Sequence, residues 1–441
     1  MVPDSPSLTR RRLLGAVGAV GGGTLAVGAT APTALPDWVT DRATQVYPTP
    51  PEIQSHWRPT VTEGHAREAV ESLATVVSEG RRLWKRLDTD DDFLGAGGWL
   101  ESAREDLRKD DYHEALFDAT YGMQFAGEDL GTARARLDRE AAALPTLTDR
   151  ATALLDRSDR VAADLDPYPV ADPGLDLAWY YRVERELVFG RFAARWSGMD
   201  DARNGVDDED GPDASAYDPR RIGSITGSLL QGEMRVRNAE RYRDLLADRV
   251  GGADADDYGD HLRDVRTSFR RDVDAFPPYG EVRSRYVGED DHTTPYQFAH
   301  WRLVRWCFDS NYRFGADVSD DLSVYRAVEL SRGLAQRRAH DFAVAHLVVD
   351  RDDEGFDSGH ALAEKRRARR VYRRVVGADP PALLTRQASR AIEDLQVAKV
   401  GFAGDYQRPL WRERLKAYIY ALVGRAKLRQ YPAVYDAVVT R

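Results

Sequence analysis

Apolar residues recur at every third or fourth position over most of this chain, the spacing of one buried helical face. The first clear case runs through Ala66, Ala69, Val70, Leu73, Val76, Val77, Leu83, Trp84 and Leu87. It is preceded by Thr60-Val61-Thr62-Glu63, a capping-box pattern in which a hydroxyl and a carboxylate satisfy the first free N–H groups. The same periodicity predicts helices near 97–109, 111–142, 147–164, 174–197, 222–250, 256–275, 294–314, 320–349, 360–376, 381–403 and 408–429. Asp218-Pro219, Thr294-Pro295, Ser319-Asp320 and Asp379-Pro380 mark several starts, with a short polar cap followed by proline or an acid. No run alternates with period two between turn signals. The expected fold is all-α, a multi-helix bundle or stacked helical hairpins of about 11–12 helices.

Interruptions of the pattern suggest the organisation. Residues 35–60 carry Pro36, Pro48, Pro50, Pro51 and Pro59 in polar sequence, the composition of an extended tether. The stretch 200–218 includes Val206-Asp207-Asp208-Glu209-Asp210-Gly211-Pro212 and has no periodicity, which makes it an acidic linker. The domains expected are therefore an N-terminal helical one over 61–199 and a C-terminal one over 219–441, with a second break from Pro277 to Asp291. The segment Leu107-Arg108-Lys109-Asp110-Asp111-Tyr112-His113-Glu114-Ala115-Leu116 resembles the start of the second helix of a tetratricopeptide hairpin. No sustained 34-residue period accompanies it, so it carries no function.

At the N-terminus, Thr9-Arg10-Arg11-Arg12-Leu13-Leu14 precedes a weakly apolar run from Gly15 to Ala29. This resembles a twin-arginine export signal, residues 1–34 in all, with small residues at Ala29-Thr30-Ala31 and Ala34 as cleavage sites and Pro32 disfavouring a cut after Ala31. The resemblance implies a protein at the cell surface or outside the cell, membrane-tethered where the leader is retained. The run is too short and glycine-laden for a comfortable transmembrane helix, and no other stretch approaches the ~18–20 apolar residues of a bilayer span.

The chain has 441 residues, 42% hydrophobic and 31% charged, with a net charge of −10 and one cysteine. That excludes wholesale disorder, a disulfide framework and multi-cysteine metal sites. Only six residues are lysine, against 57 arginines. Aspartate in excess over glutamate and arginine over lysine put short carboxylates and few long methylene stems on the surface. Together with the leader, this composition resembles exported proteins of halophilic archaea, a class rather than a family. Residues 361–441 hold 18 Lys and Arg against 7 Asp and Glu, a net of +11, so the remainder carries −21. The excess concentrates in Lys365-Arg366-Arg367-Ala368-Arg369-Arg370-Val371-Tyr372-Arg373-Arg374, where Arg366, Arg370 and Arg373 flank an apolar stripe and make a candidate anion site.

Two further constellations stand out. Helices 174–197 and 294–314 are rich in aromatic residues, and Glu184, His300 and Arg305 with Trp179 and Trp306 make a candidate ligand site between them. Asp350, Asp352 and Glu354 supply the first half of an EF-hand loop with Gly355 at the turn, but Ala361 stands where a bidentate glutamate is required. A loop from Asp90 is a weaker match. No HExxH, GxSxG, P-loop or dinucleotide glycine fingerprint is present, and no cofactor is implied.

The sequence reading is an exported, non-catalytic helical protein binding an anionic surface protein, polymer or lipid headgroup. Its alternatives are a helical exoenzyme working between the two aromatic helices, and a scaffold self-associating through acidic and basic ends. Nucleic acid is a poor partner for an acidic protein in high salt, where counterion release fails. Dialysis from concentrated to dilute salt is expected to lower helicity by circular dichroism, because carboxylates then repel unscreened; an unchanged spectrum would refute the halophilic reading.

Overall fold

The computed structural model describes residues 32–48, 58–87, 96–138, 144–195, 218–288, 292–308, 319–377, 379–399 and 409–441. The leader up to residue 31, the start of the Asp90 loop and residues 200–217 of the acidic linker lie outside the described residues. After a short 3₁₀ turn at Pro32–Ala34 come α1 (Asp37–Val46), α2 (Glu63–Trp84), α3 (Gly97–Arg108), α4 (Tyr112–Leu137), α5 (Leu144–Ala163), α6 (Pro173–Arg195) and α7 (Pro219–Val250). The chain continues through α8 (Gly259–Asp274), α9 (Tyr279–Tyr286), α10 (Pro295–Phe308), α11 (Ser323–Ala345), α12 (Ser358–Val375), α13 (Ala382–Val397) and α14 (Leu410–Val439). Among the described residues the strand content is one two-residue antiparallel ladder, β1 (Pro169–Val170) against β2 (Asp256–Asp257), with Pro169 opposite Asp257. The protein is all-α, as the periodicity predicts.

The chain forms two compact units. The first takes in Arg58–Thr267, Arg313–Glu329 and Val439–Arg441. The second takes in Met1–Trp57, Ser268–Tyr312 and Leu330–Val438. This corrects the expected domain boundaries: helix α7, placed by the sequence reading at the head of a 219–441 domain, belongs to the first unit.

The reason is glycine. A Cβ on Gly127 of α4 would sit 2.6 Å from the Cα of Gly227 on α7, and one on Gly131 would sit 2.6 Å from Thr226 Cβ. On the other side of α7, a Cβ on Gly190 of α6 would meet Val236 at 2.7 Å, and one on Gly232 would meet Ala193 at 2.8 Å. Three helix backbones thus close on one another where side chains have been removed, a spacing that only small residues allow. The flanks of α7 are tied by charge. Arg150 pairs bidentately with Glu233, one contact being 2.7 Å, and Arg157 with Glu240 at 2.6 Å. Both pairs are separated by 83 residues, so α5 and α7 run parallel with a seven-residue repeat.

In the second unit, α10 and α14 supply much of the core. Phe298, Leu303, Cys307 and Phe308 pack with Ala343, Leu415, Tyr418, Ile419 and Leu422. Cys307 is fully buried, and burial pushes its thiol up to about 12, the behaviour of a small core residue.

Three local expectations change. The tether over 35–60 contains α1, whose buried face is Thr40, Asp41 and Thr44, with no apolar stripe for periodicity to reveal. The break at Pro277–Asp291 holds α9, anchored by Val282 at 2% exposure. The cap of α2 is Thr62, whose side chain accepts the His65 N–H at 3.2 Å, two residues later than the capping-box reading.

Gly127→Ala is expected to lower stability by about 1–3 kcal/mol in denaturant unfolding, because the new methyl meets backbone that cannot yield. Gly64→Ala, where nothing lies within 4 Å, is the control and is expected to be neutral or stabilising by up to about 1 kcal/mol. Equal effects at the two positions would refute the close-packed seam.

Candidate functional site

The basic segment becomes α12, capped by Asp357, which accepts the Gly359 N–H at 2.6 Å. The bare Cα of Gly359 lets the Pro32–Ala34 turn lie against it; a Cβ there would fall 2.6 Å from Thr33 Cα. Helix α1 is then fixed along α12. The Thr40 and Ser358 hydroxyls are hydrogen-bonded, the Ser358 N–H donates to Asp37 at 3.3 Å, and Lys365 Nζ donates to the Thr44 carbonyl at 2.7 Å. From α14, Arg414 grips Asp41 through two nitrogens at 3.0 and 2.8 Å and also pairs with Asp37. Such forked charge-assisted bonds are the strong ones.

This seating sorts the cationic run. Lys365 turns inward, is 4% exposed, and is pushed down to about 8 by burial, with Lys399 adding to the effect. Glu364, also buried, is held by Arg425 and by Arg367 at 3.1 Å. Arg369 lies over the Tyr47 ring at 5.6 Å, and Arg366 is half-buried. Arg370, Arg373 and Arg374 are exposed, and no described carboxylate lies within ion-pair reach of them. Spaced three and four apart, they share one helical face. The exposed anionic-ligand candidates are therefore Arg370, Arg373 and Arg374, with Arg366 drawn partly inside.

The five aromatic-site candidates are distributed over the two units, and each has partners in its own. In the first unit, Glu184 is fully buried and accepts from the Tyr168 hydroxyl at 2.7 Å, from the Val324 N–H at 3.4 Å and from the Tyr325 N–H. It thereby caps the start of α11, a task ordinarily given to a neighbouring Ser or Asp. Burial outweighs those donors and raises its carboxyl to about 7. Trp179 sits edge-on to Tyr242 at 6.2 Å. In the second unit, His300 lies between Tyr286 and Tyr296, with ring centroids at 5.7 and 4.4 Å, and burial lowers its pKa. Arg305 covers the Trp301 ring at 5.6 Å. Trp306 donates to Asp394 at 2.7 Å, and Lys427 holds the same carboxylate at 2.8 Å.

The Asp350 loop closes on itself, the Asp353 carboxylate accepting the Asp350 N–H at 2.8 Å. Asp350, Asp352 and Glu354 do not converge: among the described residues no group of three or more His, Cys, Asp or Glu is placed to hold a metal.

Other polar centres are buried within the first unit. Arg191, 3% exposed, is clasped by Asp321 at 2.6 and 2.7 Å, by Asp159 at 2.8 Å and by the Ser158 hydroxyl at 3.0 Å. Glu186 is desolvated, yet Arg182, Arg235 and Arg185 outweigh that penalty and hold it at about 2. Asp176 accepts the N–H groups of Ala171 and Asp172 at 2.9 and 2.8 Å and Arg249 Nε at 2.7 Å. The sequence signal for the packing around them is the paired spacing Gly127-x3-Gly131 and Gly223-x3-Gly227, which marks the close seam of α4 with α7, the helix that also packs on α6 through Gly190 and Gly232.

Because the folded carboxyl of Glu184 titrates above the ordinary carboxylate range, folding takes up a proton there. Its contribution is full at low pH and is lost as pH rises through about 7. Wild-type stability relative to Glu184→Gln is therefore expected to fall between about pH 5 and 8 when denaturant midpoints are compared. A pH-independent difference would refute a neutral, buried Glu184.

The comparisons with known proteins cover most of the chain in two blocks. No curated protein and no solved structure matches it. Residues 64–253 match a family model described as a domain of unknown function, DUF8262, and residues 259–440 match a second one described as a domain of unknown function, DUF8264.

Proposed function

We propose that this chain is an exported, non-catalytic helical protein that binds an anionic partner at the cell surface through the exposed arginines of α12. The observation that carries the reading is the triplet Arg370, Arg373 and Arg374, solvent-facing on a helix whose other charged groups are engaged internally. Export rests on the leader sequence and its Arg10-Arg11-Arg12 followed by an apolar run.

The chemistry suits a saline exterior. At 1 M salt the screening length is about 3 Å, so attraction at a distance disappears and contact pairs dominate. A guanidinium is weakly hydrated and presents a planar fork to carboxylate or phosphate, so its contact pairs survive where a lysine would be screened. A helix face with three such forks at adjacent positions binds a repeating or multivalent anion better than a single small one.

The test is retention on immobilised polyaspartate in molar salt. The folded wild-type protein is expected to be retained, and Arg370→Gln, Arg373→Gln and Arg374→Gln together to weaken retention at least tenfold while leaving the circular dichroism unchanged. Equal retention of the two proteins would sink the reading.

A further inference from the structure

We infer that the face shared by α1 and α12 is a membrane-surface face, seated on the phosphate headgroups of the bilayer that the leader enters. The inference rests on the anion-binding reading above and names its partner as anionic lipid.

The first support is the length of chain beyond the described residues. The apolar run ends at Ala29, and Pro32 is already buried beside Gly359 at the first turn of α12. Three residues span at most about 11 Å when fully extended. With the leader in a bilayer, Pro32 is thus held within about 11 Å of the point where the chain leaves the apolar layer, and the beginning of α12 one residue contact beyond it. The clasp of Arg414 on Asp37 and Asp41, with the bond from Lys365 to Thr44, keeps α1 from paying out as slack.

The second support is the chemistry left outside. On α1, Trp38 is 75% exposed and Val46 52% exposed, with exposed Arg42 between them at helical spacing. Tryptophan with an apolar body and a polar edge belongs at the headgroup level of a bilayer, and arginine buries its stem while keeping its charge in the polar layer. Helix α1 runs along α12 from Asp37 at Ser358 to Tyr47 at Arg369, so Trp38 marks one end of this pair of helices, and the exposed Arg370, Arg373 and Arg374 follow at the other end of α12. Guanidinium and phosphate meet bidentately, which gives contacts that persist in salt. Among the described residues no helix is long and apolar enough to cross a membrane.

The experiment is flotation of the full-length protein with phosphatidylcholine vesicles, with and without a one-third share of phosphatidylglycerol. The leader inserts into both, so the preference for the anionic vesicles isolates the face. Wild type is expected to prefer anionic vesicles by roughly 100-fold, the product of three arginines at the surface. Arg370→Gln, Arg373→Gln and Arg374→Gln together are expected to abolish that preference, and Trp38→Ala to weaken binding to both vesicle types. Flotation independent of phosphatidylglycerol, or a preference that survives the triple substitution, would overturn the inference. Retention on polyaspartate without a vesicle preference leaves the anion-binding reading standing and removes the lipid. Loss of both removes the two together.

Discussion

A charge taken out of water must meet an opposite charge or a full set of hydrogen bonds, and both units are laid out around that requirement. In the first unit Glu186 lies among arginines, Arg191 among Asp159, Asp321 and Ser158, and Glu184 at the head of a helix. In the second unit Glu364 answers Arg425, Asp394 answers Lys427, and Arg414 answers Asp37 and Asp41. These pairs add less net stability than their number suggests, since desolvation offsets most of the attraction. They do fix register, because a one-residue slip of α6, α12 or α14 would leave an ion buried alone.

The same requirement explains the basic end of the chain. A net of +11 over residues 361–441 invites the reading of one broad cationic surface. The fold consumes much of it: Lys365, Arg414, Arg425 and Lys427 turn inward, Arg367 and Arg390 meet neighbouring glutamates, and Arg369 covers a tyrosine. Among the described residues, Arg370, Arg373 and Arg374 are left outside together on α12, the helix against which α1 is seated. Function is then sought in what internal pairing leaves outside, not in the total.

The helical pattern was legible because burial of an apolar stripe is a local property of sequence. Asp218-Pro219 marks the start of α7, where the Asp218 side chain accepts the Arg220 N–H at 2.9 Å, and the apolar girth of 174–197 matches an α6 buried on most sides. Helix α1 escaped because what it buries is polar: Thr40, Asp41 and Thr44 look like solvent-facing residues until Ser358, Lys365 and Arg414 arrive from more than three hundred positions away. The ligand-site candidates fared likewise. The sequence offers Glu184 and His300 as ligand candidates because they stand among aromatic residues; their contacts, Glu184 cradling the start of α11 and His300 resting between tyrosines, come from residues distant in the chain or on other turns. Gly127, Gly131, Gly223 and Gly227 were in plain view and became meaningful only once two such spacings were seen to face each other.

The first unit also takes in residues 313–329, which lie far downstream of its main body and inside the segment matched by the second family model. Asp321, Val324 and Tyr325 come from that insertion, and they are the counterparts of Arg191 and Glu184. Cutting the gene between the two matched segments would therefore not yield two independent proteins. The upstream half would keep Asp159, Ser158 and Tyr168 around these groups but lose the bidentate carboxylate of Asp321 and the backbone donors of α11, so its interior is completed only by chain made after the second matched segment has begun.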